Sequence, residues 1–462
     1  METSWLPDLD LTRGPLYWRI QGALAEDIRS GRLAAGERLP THRALADALG
    51  VTVNTVTKAF AEAERTGLIV SRVGRGTYVK GFPEEMQLDN GKAQDVIDLC
   101  QNIAVTDTLD PLLNRLLGAL SRRGSLHGLL QNHPHPGIAR HRNAGARWIK
   151  RRGIEAQPGQ VLLCNGGQDG LMAIFLAIAR PGGTILTEKL NYAGIRFVAR
   201  CLNLNLRGVE SDEQGIIPDA LEAACKQENV SAILVTPTNH NPTNVFTPLE
   251  RRKALVEIAG RAGTLLVEDD AFGHLTGNKV PTLTALAPDR CIYVCGLSKS
   301  MAGGLRVGYV LAPAALVSGL VNSLRTMYSV YPTLMAEIAT SLIEEGQADE
   351  FVGWHRREAR ERNDLAREVL GLGNGPEGVS SYHLWLPLPE GRRAVDFVAD
   401  LRAEGVLVAP PEKFTVDHQP APNAVRLALG SVRDRERLKE GLRRVADCLS
   451  GRPHRWHNLR PD

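Results

Sequence analysis

An α/β protein built in two parts is the fold the sequence predicts, and three observations predict it. From Val96 onward short apolar runs alternate with long helical patterns. Before that point, helical stripes are followed by two short strand candidates around a glycine turn. After about Glu345 the pattern changes to Arg/Glu-rich helices with separate strands. Strands that alternate with helices imply a mostly parallel sheet. These shifts place a small amino-terminal unit at 1–80, a linker at 81–95, a large α/β domain at 96–340 and a smaller carboxyl-terminal α+β lobe at 341–462.

Composition agrees with two or more units. At 462 residues and 43% hydrophobic, the chain can bury a large core and exceeds one ordinary domain. Its seven cysteines (Cys100, Cys164, Cys201, Cys225, Cys291, Cys295 and Cys448) are scattered without paired CxxC spacing. Neither a disulfide framework nor a zinc ribbon is indicated, and a reducing cytoplasm fits best. Met1-Glu-Thr-Ser-Trp5 lacks the basic start and apolar core of a signal peptide, and no uninterrupted apolar run approaches the ~18 residues of a membrane span. The net charge of +3 identifies no partner, but residues 11–80 hold eleven Lys/Arg against six Asp/Glu, a local excess of +5 that favours phosphate.

In the amino-terminal unit, Leu16, Ile20, Leu24 and Ile28 form a helical stripe that ends before Gly31. Thr41 can cap a second helix through Leu49, Gly50 supplies a left-handed stop, and Thr52 or Asn54 can open a third helix through Arg65. Short helix, glycine turn and second helix make a helix-turn-helix. Strand candidates 68–72 and 76–80 flank Val73-Gly74-Arg75 as a hairpin wing, and polar, aperiodic residues 82–95 read as the linker.

The large domain offers strands at 161–164, 184–187, 232–236, 264–267 and 291–295; the small lobe offers 381–386, 406–408 and 424–429. Several strand ends carry chemistry. Asn165-Gly-Gly-Gln168 opens a helix whose Gly167 and Gln168 N–H groups can meet a phosphate, although any strand-to-helix turn uses glycines. Asn241, in Thr236-Pro-Thr-Asn-His-Asn241-Pro-Thr-Asn-Val245, can donate to a phenolate oxygen, or simply sit in a proline turn. Asp269 closes another strand, where ligands of open α/β sheets gather, and can hold a pyridinium nitrogen protonated or act as a cap. Lys299 can form a Schiff base once unprotonated, with Ser298 and Arg306 beside it to clamp a phosphate. His133, His135 and His141 lack metal-ligand spacing, and Cys291 and Cys295 alternate on a strand as packing residues.

Two resemblances gather these pieces. Leu39-Pro-Thr-His-Arg43-Ala-Leu-Ala46, Gly50-Val-Thr-Val-Asn-Thr-Val-Thr57 and Gly67-Leu-Ile with Gly74-Arg-Gly-Thr-Tyr-Val79 resemble the GntR-type winged helix over residues 14–80. This implies that Arg43 contacts phosphate or bases, that Thr52, Asn54, Thr55 and Lys58 face the major groove, and that Arg72, Arg75 and Gly76 belong to the wing. Gly166-Gly-Gln168, Glu188 through Tyr192, Asn241-Pro-Thr243, Glu268-Asp269-Asp270, Ser298-Lys299 and Leu305-Arg306-Val-Gly-Tyr309 resemble fold-type I aminotransferases, a pyridoxal 5′-phosphate (PLP) family, over about 97–448.

By that second resemblance Lys299 carries the cofactor as an imine, Asp269 pairs with the pyridine nitrogen and Asn241 bonds the ring hydroxyl. Tyr192 stacks on the ring, Gly167, Gln168, Ser298 and Arg306 hold phosphate, and Arg426 takes an α-carboxylate. Three positions depart from the pattern: Asn244 replaces a glycine, Leu190 replaces a proline, and Phe272 replaces a tyrosine whose hydroxyl reaches the ring oxygen.

A GntR-type winged helix joined to an aminotransferase-like unit resembles the MocR subfamily of bacterial transcription regulators. The expectation is a cytoplasmic homodimer that reads double-stranded DNA and senses PLP, another vitamer or an amino compound at Lys299. The alternative is a working aminotransferase with secondary DNA binding.

Overall fold

The computed structural model describes residues 5–9, 15–29, 32–33, 37–65, 68–72, 76–79, 96–106, 110–122, 126–133, 135–227, 229–277, 279–373, 375, 380–417 and 420–451. It divides into two compact units, 1–94 and 95–462. Residues 81–95, the expected linker, and Val73-Gly74-Arg75, the expected hairpin turn, lie outside the described residues.

In the first unit the apolar stripe becomes helix Leu16–Arg29, with Ile20 and Leu24 buried against Val56, Phe60, Ile69 and Val79. Helix His42–Leu49 begins at Thr41, whose hydroxyl accepts from the Ala44 N–H at 3.2 Å, and stops at Gly50, whose φ of +65° is left-handed. Only glycine takes that conformation without a Cβ penalty. Helix Val53–Arg65 follows, and strand Ile69–Arg72 pairs antiparallel with Gly76–Val79, Arg72 opposite Gly76. The helix-turn-helix and its two wing strands thus form as the spacing predicts.

The second unit is built on a seven-stranded sheet. Its order is Val161–Cys164, Gly308–Leu311, Cys291–Gly296, Leu265–Asp269, Val230–Val235, Thr184–Glu188 and Asn205–Val209. All neighbours are parallel except Gly308–Leu311, which runs antiparallel to both of its own. Strands Val161–Cys164 and Cys291–Gly296 are buried on both faces, which is why they read as continuous apolar runs rather than as alternation. Helix Gly167–Ile178 lies close on this sheet because position 170 is glycine: a Cβ there would come within 2.7 Å of Val294 Cγ2. That close approach brings the start of the helix to the carboxyl edge of the strands, where the site forms.

A smaller lobe pairs His383–Pro387 with Ala424–Ala428, antiparallel, and packs them against helices Gln347–Leu370, Ala394–Ala403 and Arg435–Leu449. Strand Ile97–Leu99, which falls inside the 96–340 limits expected for the large domain, pairs parallel with Val406–Val408. Ile97 and Leu99 complete the lobe's apolar core beside Leu427 and Leu442, so the chain enters this unit through the small lobe. Among the described residues no helix is long and apolar enough to cross a membrane.

Candidate functional site

The carboxyl ends of five strands converge on one centre. Leaving strand Val161–Cys164, the chain turns at Gly166, with φ +106°, into helix Gly167–Ile178, whose start carries no side-chain cap. The first N–H groups of an uncapped helix, with the positive end of its dipole, are open to an anion. Arg306, itself left-handed at φ +50°, reaches this turn and donates to the Asn165 carbonyl at 2.8 Å. A Cβ on Gly166 would lie 3.0 Å from the Arg306 guanidinium, so glycine makes the approach possible. Gln168 and Arg306 are exposed, and Ser298 is half-buried nearby in sequence to Lys299. The arrangement can hold a phosphate.

Lys299, half-buried, is the amine of the site. Its Nζ donates to the Asn102 carbonyl and lies 5.8 Å from the centroid of the Phe272 ring. Burial, then the charges of Arg426 and Arg306, lower its pKa to about 8. At pH 7 this leaves roughly 300-fold more neutral amine than an ordinary lysine has.

Glu268, Asp269 and Asp270 have separate roles. Asp270 is taken by Arg152 at 2.7 Å and by the Tyr293 hydroxyl at 2.8 Å, and Glu268 accepts from Leu283 and Thr284. Asp269 meets only the Ala271 N–H among the described residues, at 3.1 Å. Burial pushes its pKa up to about 7. A carboxylate so placed calls for a cationic hydrogen-bond donor, which a protonated ring nitrogen supplies. This unmet demand is the feature of the site that fits PLP best.

Around these groups stand the remaining candidates. Tyr192 is 36% exposed and donates its hydroxyl to Gln168 Oε1 at 2.9 Å, so the ring to be stacked upon reaches the phosphate turn. Asn241 uses Oδ1 to accept from Arg426 at 3.0 Å, which leaves its amide N–H groups for another acceptor. Arg426 is 6% exposed, donates also to the Cys100 carbonyl, lies over the Phe414 ring at 4.8 Å and keeps an unpartnered buried Nε. Its pKa falls to about 10, burial being the main cause. Among the described residues it forms no salt bridge and is a buried cation that lacks an anion. A carboxylate ligand would complete it.

The three departures resolve physically. Asn244 has φ +60°, a region asparagine tolerates, and its Nδ2 donates to the His383 carbonyl of the small lobe at 2.7 Å. Asn244→Ala is expected to lower stability by about 2 kcal/mol through both strain and the lost bond. Asn244→Gly should lose about half as much, the bond alone, in thermal unfolding. At Leu190 the bridge to Thr415 uses the flanking Lys189 carbonyl and Asn191 N–H, so a proline or a leucine serves equally. Phe272 is buried between Lys299 and His383, whose ring is 5.2 Å away, and offers no donor.

Residues the sequence did not point to are Asn102 and His383. Asn102 holds the Lys299 amine through its backbone, and its Nδ2 meets His383 Nδ1 at 3.0 Å. They come from the small lobe, far from Lys299 in the chain, and no local motif marks them. Of the histidines outside the site, His141 lies between Glu337 at 2.9 Å and the Tyr331 hydroxyl at 3.1 Å, His133 meets the Gly128 carbonyl, and His135 packs edge-on against the Tyr328 ring at 5.1 Å. Cys291 and Cys295 are buried in the sheet, where burial holds their thiols protonated.

In the first unit Arg43, Asn54 and Lys58 are exposed on the two helices of the helix-turn-helix. Thr52 is the cap of helix Val53–Arg65: its hydroxyl accepts from the Thr55 N–H at 3.3 Å and lies 2.9 Å from the Thr55 hydroxyl. Both threonines therefore hold the helix start as well as facing solvent. Thr52→Ala should destabilise this unit by about 1 kcal/mol, measured by amide exchange across residues 53–65. Gly76, with φ +104°, brings the wing strand against Arg38. The Arg72 side chain and all of Arg75 lie outside the described residues.

Comparison with known proteins agrees with both units. Residues 94–445 match the family described as aminotransferase class I and II, and residues 16–79 match bacterial regulatory proteins of the gntR family. The chain is 29% identical to the "Uncharacterized HTH-type transcriptional regulator YdeF" of Bacillus subtilis over 97% of this chain and 98% of that one. It is 29% identical to the HTH-type transcriptional regulator TauR of Rhodobacter capsulatus, covering 95% and 97%. The solved structure of LysN, an α-aminoadipate aminotransferase from Thermus thermophilus complexed with N-(5′-phosphopyridoxyl)-L-leucine, superposes with a TM-score of 0.70 at 26% identity, covering 78% of this chain and 93% of that one.

Proposed function

From a chain that belongs to the class I and II aminotransferase family and carries a gntR-type helix-turn-helix ahead of it, we propose a transcription regulator that binds PLP at Lys299 and changes its grip on DNA when an amino compound or vitamer reacts there. The observation that carries the reading is the joining of the two units along the full length of relatives named as regulators.

PLP supplies, when bound, an aldehyde that accepts a primary amine and a ring that draws electrons from the attached carbon. Lys299 would present its amine to that aldehyde. Asp269 would keep a proton at the ring nitrogen, Asn241 would donate to the ring oxygen, and Tyr192 would lie against the ring. Gly167, Gln168, Ser298 and Arg306 would hold the phosphate, and Arg426 would orient an effector carboxylate. With an effector amine joined to the cofactor in its place, Lys299 would be left unlinked, with its Nζ within hydrogen-bond reach of the Asn102 carbonyl. Asn244 and Asn239 donate to the carbonyls of His383 and Ser380 on the small lobe, so site occupancy and lobe position are linked.

The domain limits 1–80, 81–95, 96–340 and 341–462, with strand Ile97–Leu99 joining the carboxyl-terminal lobe, a homodimer on two half-sites and a cytoplasmic location complete the proposal. Arg43, Thr52, Asn54, Thr55, Lys58, Arg72, Arg75 and Gly76 form the DNA face. A second reading, a working aminotransferase, draws on the intact Lys299, Asp269, Asn241 and Arg426 set. Phe272 weighs against it, because the ring oxygen has one donor fewer. Operator retardation that responds to an amine or to PLP, without multiple turnover of a keto acid, supports the regulator. Multiple turnover with no ligand effect on retardation supports the enzyme.

A further inference from the structure

A cavity of about 370 Å³ has walls that include the two loops carrying Tyr192 and Asn241, and its lining does not include Lys299, Asp269 or Arg306. Its size falls in the range of small-molecule sites, about 300–1,000 Å³. One wall is Glu188 to Leu190 and another is the Thr236 to Val245 loop. The third is the small-lobe segment around Thr415, Pro420 and Pro422. Backbone pairing joins the first wall to the third: Asn191 N–H to Phe414 carbonyl at 2.8 Å and Val416 N–H to Lys189 carbonyl at 3.1 Å.

The chemistry of the lining selects the occupant. Its charges are already committed: Glu188 accepts from the Thr236 N–H and from Asn191 at 2.9 Å each, Asp212 pairs with Arg251 at 2.9 Å, and Lys189 pairs with Glu210. His240 is held neutral by burial, with Nδ1 2.8 Å from the Thr243 hydroxyl. Two lining residues retain buried polar atoms without a protein partner, His240 Nε2 and Thr236 Oγ1. Leu190, Val245, the two prolines and the threonine methyls make the rest apolar. A charged ligand would find no free counter-charge here, and a wholly apolar one would leave the two polar atoms unmet.

We propose that this cavity is a second ligand site, for a small uncharged molecule that is apolar over most of its surface and carries one hydroxyl or amide group. An occupant touches both loops that carry the residues facing the cofactor ring, yet it is separate from any ligand taken at Lys299. The site exists whether the chain is a regulator or an enzyme.

The test uses full-length, PLP-loaded protein with 4-ethylphenol as probe and ethylbenzene as its match without the hydroxyl, followed by saturation-transfer NMR and calorimetry. Two variants fill the cavity from opposite walls, Val245→Phe and Thr415→Phe, and the visible band of the bound cofactor reports that each has folded. Saturable 4-ethylphenol binding in the wild type, lost in both variants and about tenfold weaker for ethylbenzene, is the expected result. Binding that survives both substitutions, binding displaced by pyridoxamine phosphate, or the absence of saturable binding to the wild type overturns the proposal.

Discussion

Lys299→Ala is expected to abolish the visible absorption that PLP acquires on joining a lysine amine, while far-UV circular dichroism stays that of the wild type. The reason is local. Among the described residues, Lys299 is the amine that lies beside Phe272, is influenced by both Arg306 and Arg426, and has a pKa lowered to about 8. The pH dependence follows from that value. Only the neutral amine attacks an aldehyde, so capture of cofactor by apo protein should speed up as pH rises and level off above about 8, well short of the ordinary lysine value of 10.5. Stopped-flow absorbance from pH 6 to pH 10 measures it. A rate still climbing steeply at the upper end would mean that the amine is not desolvated. A band of unchanged position and intensity in the alanine variant would mean that another group carries the cofactor.

What the sequence made legible depends on how far apart the cooperating residues lie. Lys299, Ser298 and Arg306 share one short run, and Thr41, Gly50 and Thr52 mark helix ends by chemistry that acts within a few residues. These were readable. Strand Ile97–Leu99 is not legible, because its partner Val406–Val408 lies at the other end of the unit and Ile-Asp-Leu is too short to show which sheet it joins. Strand Gly308–Leu311 was hidden as the tail of the Arg306 run, and its antiparallel sense breaks the alternation used to find the others. Asn102 and His383 were invisible for the same reason as Ile97: the fold, not a motif, brings them to Lys299. Asn244 shows the converse. Read as a departure from a glycine position, it keeps the left-handed backbone and adds a bond to the small lobe that glycine could not make.

Asp269→Asn should move stability and cofactor affinity in opposite directions. In the folded apo protein the Asp269 carboxyl titrates near 7, raised by burial from an ordinary 3.8. The native state therefore binds the proton more tightly than the unfolded chain does. The contribution is fully favourable below the unfolded value, and stability falls as pH rises from about 4 to about 7. Above that range the folded apo protein holds a buried carboxylate with no cation beside it. The amide has nearly the same shape, can still accept from the Ala271 N–H and carries no charge. Apo Asp269→Asn should thus be more stable than apo wild type at pH 8 by roughly 2 kcal/mol, and the gain should vanish near pH 4. Thermal unfolding at the two pH values measures this. Cofactor binding reverses the order, because the asparagine cannot hold a ring proton by charge: affinity for PLP should fall about 100-fold, read by equilibrium dialysis. A variant that gains stability but binds PLP as tightly as wild type would show that the carboxylate does not face the ring nitrogen. One that loses affinity without a pH-dependent gain would show that the Asp269 carboxylate is already paired in the apo state.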